Sequence, residues 1–338
     1  MTQVSHVPRP PERGISRPVL ERILVGVDFR QPSLAAARWA ATHFGSCTQI
    51  ELAHVISVPE VPGFLKPMMP ALDDRLEIAV GSPLPGLRGF AGTLGAQDLS
   101  VQVRVGSAVQ SLADVARSLE ADLVVLGRKA LDGSRGRTLE RLIRQLTVPA
   151  LVIGGNAEER PRRILAAVDD APVGRKVVDW AAALAHHFGA ELTLLHVLSD
   201  TLLAHDWLWK EGARAESACG RLGSSFRWVA PTHAWLRGLG RSDGRPPVAR
   251  TIVAVGAAGP VILERARAVR ADLIVLGRNG AHATGPAEIG SATRLVLRGT
   301  QVPALIVPST GSLGLPGPSR SGRGLNISPR RAMTRSVR

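Results

Sequence analysis

The chain has 338 residues, 45% of them hydrophobic and 21% charged, with a mean hydropathy of +0.09. That is enough apolar material for two globular domains, and it excludes a disordered polymer. Two cysteines, Cys47 and Cys219, exclude a disulfide framework and a thiolate zinc site, no apolar run reaches the ~18–20 residues of a membrane span, and the net charge of +14 is uneven, because residues 309–338 hold six Arg and no acid.

In chain order, residues 1–19 are expected to form a disordered tail. The opening MTQVSHVPRPPERGISRP has no apolar core of the kind a secretory leader needs, so the expected compartment is the cytoplasm. Arg22-Ile-Leu-Val-Gly-Val-Asp28 reads as a buried strand, and a helical stretch around Trp39-Ala-Ala follows. His54-Val55 ends a second apolar run. Ala121-Asp-Leu-Val-Val-Leu-Gly127 and Val148-Pro-Ala-Leu-Val-Ile153 are two further strands. All five segments return in the same order, as Arg163-Ile-Leu-Ala-Ala-Val-Asp169, Trp180-Ala-Ala, His196-Val197, Ala271-Asp-Leu-Ile-Val-Leu-Gly277 and Val302-Pro-Ala-Leu-Ile-Val307. Ordered matches with a period of about 140–155 residues mean two tandem copies of one domain, not a solenoid. The copies are assigned to residues 20–155 and 161–309, with Arg160-Pro-Arg162 as linker and an Arg-rich disordered tail at 310–338.

In copy two, Ile164–Val168 predicts a strand and Lys176–His187 a helix with Val177, Val178, Ala181, Leu184 and Ala185 on one face. Leu192–Val197 and Thr251–Val255 are strands, and Pro260–Val269 is a helix that opens on proline, where the missing N–H costs little. Leu273–Leu276, Ala292–Leu297 and Ala304–Val307 complete the copy as strand, helix and strand. Continuous apolar strands imply burial on both faces, and their alternation with helices implies a parallel sheet. The expected fold is α/β: two doubly wound domains, each a five-stranded parallel sheet in the order 3-2-1-4-5 with helices on both faces. The irregular stretches 57–100 and 199–249 are expected to hold the second helix of each copy and a variable loop.

Ligands in such sheets bind beyond the carboxyl ends of the strands, at the switch point. There copy two runs Gly277-Arg-Asn-Gly280, then nine residues, then Gly290-Ser291 at the start of a helix. Gly277 and Gly280 let the backbone turn tightly and come close to a ligand. The N–H groups and positive dipole end at Gly290-Ser291 suit phosphate, and Ser291 and Thr293 add hydroxyls. The bland alternative is a flexible loop followed by an ordinary helix cap.

With these residues the sequence resembles the universal stress protein family in tandem form. The family's nucleotide pattern, Gly, two residues, Gly, nine residues, Gly, Ser or Thr, is matched by Gly277, Gly280, Gly290 and Ser291. The resemblance implies binding of an adenine nucleotide, ATP, with Mg2+ as a divalent companion. By carry-over, Ala167 and Asp169 would contact the nucleoside. Val197 and Leu276 would line the adenine or ribose pocket, and Gly277, Gly280, Gly290, Ser291 and Thr293 would hold the phosphates. It also implies pairing of the final strands, either within the chain or across a homodimer.

Copy one departs from the pattern. Gly127 is followed by Arg128-Lys129-Ala130, so the second glycine is missing, and four residues have been lost before Pro149. Gly136 then aligns with Gly290, and Arg137 replaces Ser291. Copy one is therefore expected to be a structural partner that binds nucleotide weakly or not at all. The alternative is a different anion site made by Lys129, Arg135 and Arg137.

Other candidates are weaker. Asp169 and Asp170 are adjacent, and on an extended strand they would point to opposite faces. His54 and His196 sit in apolar strands and read as satisfied core histidines. His282 lies in the copy-two loop. Trp207, Trp209, Trp228 and Trp235 cluster in 202–240, where an apolar helix face would cover the edge of copy two. No catalytic or metal-site signature is present. The resulting expectation is an ATP-binding stress-response or signalling protein with an unknown protein partner. A slow ATPase or phosphotransferase and a non-nucleotide interaction scaffold are the alternatives. Nucleic acid is expected only as a weak ligand of the Arg-rich tail, and no membrane association is expected.

Overall fold

The computed structural model describes residues 20–46, 48–57, 81–128, 136–154, 159–199, 219–240, 248–280, 285 and 288–309. The expected tails 1–19 and 310–338, Lys129, Arg135, His282, Trp207 and Trp209 lie outside the described residues. Copy one runs β1 (Arg22–Val27), α1 (Gln31–Phe44), β2 (Gln49–Ile56), α2 (Leu84–Gly92), β3 (Leu99–Val105), α3 (Ala108–Ser118), β4 (Leu123–Gly127), α4 (Gly136–Gln145) and β5 (Ala150–Ile153). Copy two repeats the order as β6 (Arg163–Ala167), α5 (Val173–Phe188), β7 (Glu191–Leu198), α6 (Cys219–Gly240), β8 (Val248–Val255), α7 (Ala258–Ala268), β9 (Leu273–Gly277), α8 (Ser291–Gly299) and β10 (Ala304–Val307). The two irregular stretches hold α2 and α6, as expected.

The strands lie in the order β3-β2-β1-β4-β5-β10-β9-β6-β7-β8. Each copy therefore has the order 3-2-1-4-5, parallel throughout. The two expected five-stranded arrays are found, and they meet at their last strands. β5 and β10 are antiparallel neighbours, with Leu305 opposite Leu151, so the chain forms one ten-stranded sheet. Of the two expected pairings of the final strands, within the chain or across a homodimer, the first is found: β5 and β10 pair with each other and are not free edges.

Side-chain alternation along the strands builds two apolar layers. Ile23, Val25 and Val27 face α1, and Ile164, Ala166 and Val168 share that layer with α5, around Trp39 and Trp180. Leu24 and Leu165 face the opposite way, with α3, α4, α7 and α8. Both layers run through both copies. Phe44 at the end of α1 lies 5.8 Å from Phe188 at the end of α5, and His187 Nε2 is 2.9 Å from the His43 carbonyl.

The repeated Ala-Asp-Leu segment has a structural purpose. Asp122 Oδ2 accepts from the N–H groups of Glu21 and Arg22 at 2.8 and 2.9 Å. Asp272 Oδ2 accepts from Arg162 and Arg163 at 3.0 and 2.9 Å. In each copy the fourth strand thereby holds the entry to the first. The turn after the third strand is also repeated, at Gly106 (φ 136°) and Gly256 (φ 139°), a conformation closed to residues with a Cβ.

Candidate functional site

The candidate residues of copy two gather at the carboxyl ends of β6, β7 and β9. Ala167 ends β6 and pairs in register with Leu195 and Leu276. Val197 is half-buried near the end of β7, and Leu276 is buried. Gly277 ends β9. The backbone then turns so that the Gly290 N–H donates to the Arg278 carbonyl at 2.9 Å, which closes the loop at its two ends. Gly290 is the residue just before α8, and Ser291, its first residue, is exposed. A Cβ on Gly280 would overlap the Asp169 carboxylate, so these two residues are in close approach. Thr293 differs from its neighbours: it is buried, and its hydroxyl donates to the Gly277 carbonyl at 2.8 Å. The loop end is thus tied to the first turn of α8.

The expectation that Asp169 and Asp170 point apart is corrected. β6 ends at Ala167, so both carboxylates lie in the following turn, where strand alternation no longer applies. The Asp170 N–H donates to Asp169 Oδ1 at 2.8 Å. Side-chain hydrogen bonding with Asp169 raises the Asp170 carboxyl above its ordinary range. Partial burial and the Asp169 charge push the same way, against the pull of His196. His196 Nδ1 lies 2.7 Å from the Val168 carbonyl, and His54 Nδ1 lies 2.7 Å from the Val27 carbonyl. A carbonyl only accepts, so both rings carry their proton on Nδ1. Both histidines are satisfied, as the sequence suggested. Among the described residues, no group of three or more His, Cys, Asp or Glu is placed to hold a metal ion.

Copy one holds a feature that the sequence reading missed. A cleft of about 450 Å³ opens at the ends of β1, β2 and β4, between α3 and α4. Its floor includes Gly26 and Ala53, and its rim includes Asp28, Arg30, Ser57 and Thr138. Ser33 Oγ donates to Asp28 Oδ1 at 2.6 Å, and the Arg30 N–H donates to the same oxygen at 3.0 Å. The signal lay in the repeat alignment. Gly26 and Ala53 stand opposite Ala167 and Leu195 of copy two, so the first copy has lost bulk at two strand ends.

The two sites are joined through arginines. Arg278, in the copy-two loop, is 2% exposed and donates to the carbonyls of Ile143, Arg144 and Leu146 at the end of α4. Arg128 donates to the Leu297 carbonyl in α8 at 2.8 Å. Burial lowers the pKa of both guanidinium groups. Glu140 of α4 adds ion pairs to Arg294 and Arg298 of α8 at 3.4 and 3.0 Å. Among the described residues no helix is long and apolar enough to cross a membrane.

Comparison with known proteins agrees with this architecture. A universal stress protein of Mycolicibacterium smegmatis is 27% identical over 192 residues, which is 53% of this chain and 64% of that protein, so the chain spans less than two thirds of the relative's length. The crystal structure of a universal stress protein from Archaeoglobus fulgidus superposes with a TM-score of 0.57 at 15% identity, covering 85% of this chain and 96% of that one. A functionally unknown protein from Pseudomonas aeruginosa PAO1 gives a TM-score of 0.53 at 16% identity, covering 86% and 93%. At such identities the two structures speak for the fold. The model of the universal stress protein family matches twice, over residues 20–154 and 161–308. With both copies matched, the chain belongs to the universal stress protein family, in tandem form.

Proposed function

We propose that this chain binds an adenine nucleotide, ATP, in its second copy and acts in stress response or signalling. One observation carries the reading. The loop closed between Gly290 and Arg278 sets the first turn of α8 beside Gly280, in close approach to the Asp169 carboxylate. A helix N-terminus favours phosphate through its dipole and its N–H groups, and a strand-end carboxylate accepts hydrogen bonds from ribose or base. In this reading Ala167 and Asp169 contact the nucleoside, and Val197 and Leu276 line its apolar side. Gly277, Gly280, Gly290 and Ser291 face the phosphates, while Thr293 fixes the loop. Mg2+ would be carried by the phosphates. A bound nucleotide acts as a signal only if it has different affinities for two states of the protein or of its complex with a partner.

The test uses the full chain. Small molecules released from the purified protein are identified by mass, and the emptied protein is titrated with ATP. Binding at one site per chain, abolished by Gly290→Arg, is the expected result. An intact, folded chain that binds no adenine nucleotide overturns the reading. Phosphate release in the same samples, compared with Asp169→Asn, separates a binding protein from a slow ATPase.

A further inference from the structure

A loop that holds phosphate through its backbone N–H groups binds best when its shape is set before the ligand arrives, because ordering it on binding costs conformational entropy. In copy two that shape centres on Arg278. Its N–H donates to the Val307 carbonyl at 2.7 Å, and its carbonyl accepts from the Gly290 N–H at 2.9 Å. One residue on, the buried Asn279 donates from Nδ2 to the Gly285 carbonyl at 3.1 Å. The position of Arg278 is thereby passed to Gly290, the residue just before α8.

The Arg278 side chain reaches out of its own copy. Its Nη1 donates to the Ile143, Arg144 and Leu146 carbonyls at the end of α4, so the guanidinium is engaged away from the phosphate side of the loop. That helix end is a firm anchor, since Leu142, Ile143 and Leu146 are all buried in the apolar layer beneath it. A second hold runs through Glu140 of α4. Its carboxylate is 3.4 Å from Arg294 Nε, and Arg294 Nη2 donates to the Ile289 carbonyl at 3.3 Å, directly before Gly290. Further along α8, Arg298 pairs with the same carboxylate at 3.0 Å, and the Leu297 carbonyl accepts from Arg128 at 2.8 Å. Copy one thus holds both ends of α8 and the loop that leads into it, while its own loop lacks the second glycine.

We propose that copy one is the fixture for the copy-two phosphate loop: Arg278 is a positioning residue that takes its anchor from the end of α4, and Glu140, acting through Arg294, is the second hold. The inference rests on the nucleotide reading of copy two, and adds that the affinity for the phosphates is set from across the copy boundary by residues that do not touch the ligand. It gives the copy with the degenerate loop a task in binding.

The test compares the full native chain with Arg278→Met, Arg278→Lys and Glu140→Ala, with melting curves to show which variants fold. ATP is titrated by calorimetry, and amide hydrogen exchange over residues 288–294 is followed without ligand. Arg278→Met is expected to weaken ATP binding roughly tenfold or more and to speed that exchange by a similar factor, with exchange in β6 unchanged. Arg278→Lys, whose ammonium still donates, recovers part of both, and Glu140→Ala shows each effect at about threefold. A folded Arg278→Met chain that binds ATP as tightly as the native chain, or that loses ATP without faster exchange at 288–294, overturns the proposal. So does exchange that rises as much in β6, the mark of a general loosening. If Arg278→Met does not fold, Arg278→Lys and Glu140→Ala decide by the same two readouts. A native chain that binds no ATP overturns the nucleotide reading and this inference with it, whereas native binding that the substitutions leave untouched overturns this inference alone.

Discussion

Arg128 and Arg278 stand at equivalent positions after β4 and β9, and each donates to backbone carbonyls of the last helix of the other copy. The last carbonyls of a helix have no partner within it and carry the negative end of its dipole, so a guanidinium suits both the charge and the geometry. The exchange is unequal. Arg278 reaches three carbonyls at 2.8–3.3 Å from a nearly sealed position, whereas Arg128 reaches one at 2.8 Å.

That inequality predicts unequal losses. Arg278→Met is expected to cost about 3 kcal/mol in urea unfolding, since several buried carbonyls lose their donor. Arg128→Met is expected to cost about 1 kcal/mol, because one bond is lost at a half-buried site. Equal losses would show that the inter-copy helix caps are not what these residues contribute.

Asp122 and Asp272 each accept two backbone N–H groups at the start of a first strand. Replacing either with Ala leaves two donors to solvent, and a loss of about 1–2 kcal/mol is expected for each. The substitutions lie in opposite copies on matching contacts, so their unfolding midpoints should fall by similar amounts.

The raised Asp170 carboxyl makes a signed prediction. Its native pKa lies above the ordinary 3.8, so the native state holds the proton more tightly than the unfolded chain does. The associated stability is fully present below pH ~3.8 and is lost as pH rises through the native value. Asp170→Asn should therefore melt higher than the native protein at pH 7, and the gain should vanish at pH 3. A gain of equal size at both pH values would remove the carboxyl as its source.

Gly280 faces the Asp169 carboxylate so closely that a methyl group there must displace it. A carboxylate at the end of a side chain can turn aside, so Gly280→Ala should fold normally while ATP binding falls at least tenfold. The converse change in copy one, Ala130→Gly, should not create a second ATP site, because its loop remains four residues shorter. Titration of both variants by fluorescence or calorimetry checks the pair.

Much of this was legible in the chain. Val148–Ile153 and Val302–Val307 announced two final strands, but apolar patterning cannot name a strand's neighbour; the resemblance left pairing within the chain and across a homodimer both open, and the structure shows the first. Asp169 and Asp170 misled because a side-chain alternation rule was carried two residues beyond Ala167, where the strand stops. The arginine exchange was present as Leu-Gly-Arg at 126–128 and 276–278. An Arg-rich composition hid it, since one more arginine in a basic chain carries little information. The copy-one cleft is lined by small residues such as Gly26 and Ala53, and small residues form no motif. His54 and His196 were read correctly, because a histidine inside an apolar strand needs a carbonyl partner, and both have one.

Joining β5 to β10 transfers the burden of the open sheet to its flanks. Among the described residues, unpaired rows of N–H and C=O groups remain only along the outer sides of β3 and β8. An open sheet with two free flanks is a repeating tile: flank against flank, many chains could extend it into a ribbon. Each flank carries an exposed arginine within its strand, Arg104 on β3 and Arg250 on β8. Two such borders brought together present cation to cation, and this like charge opposes growth of the tile.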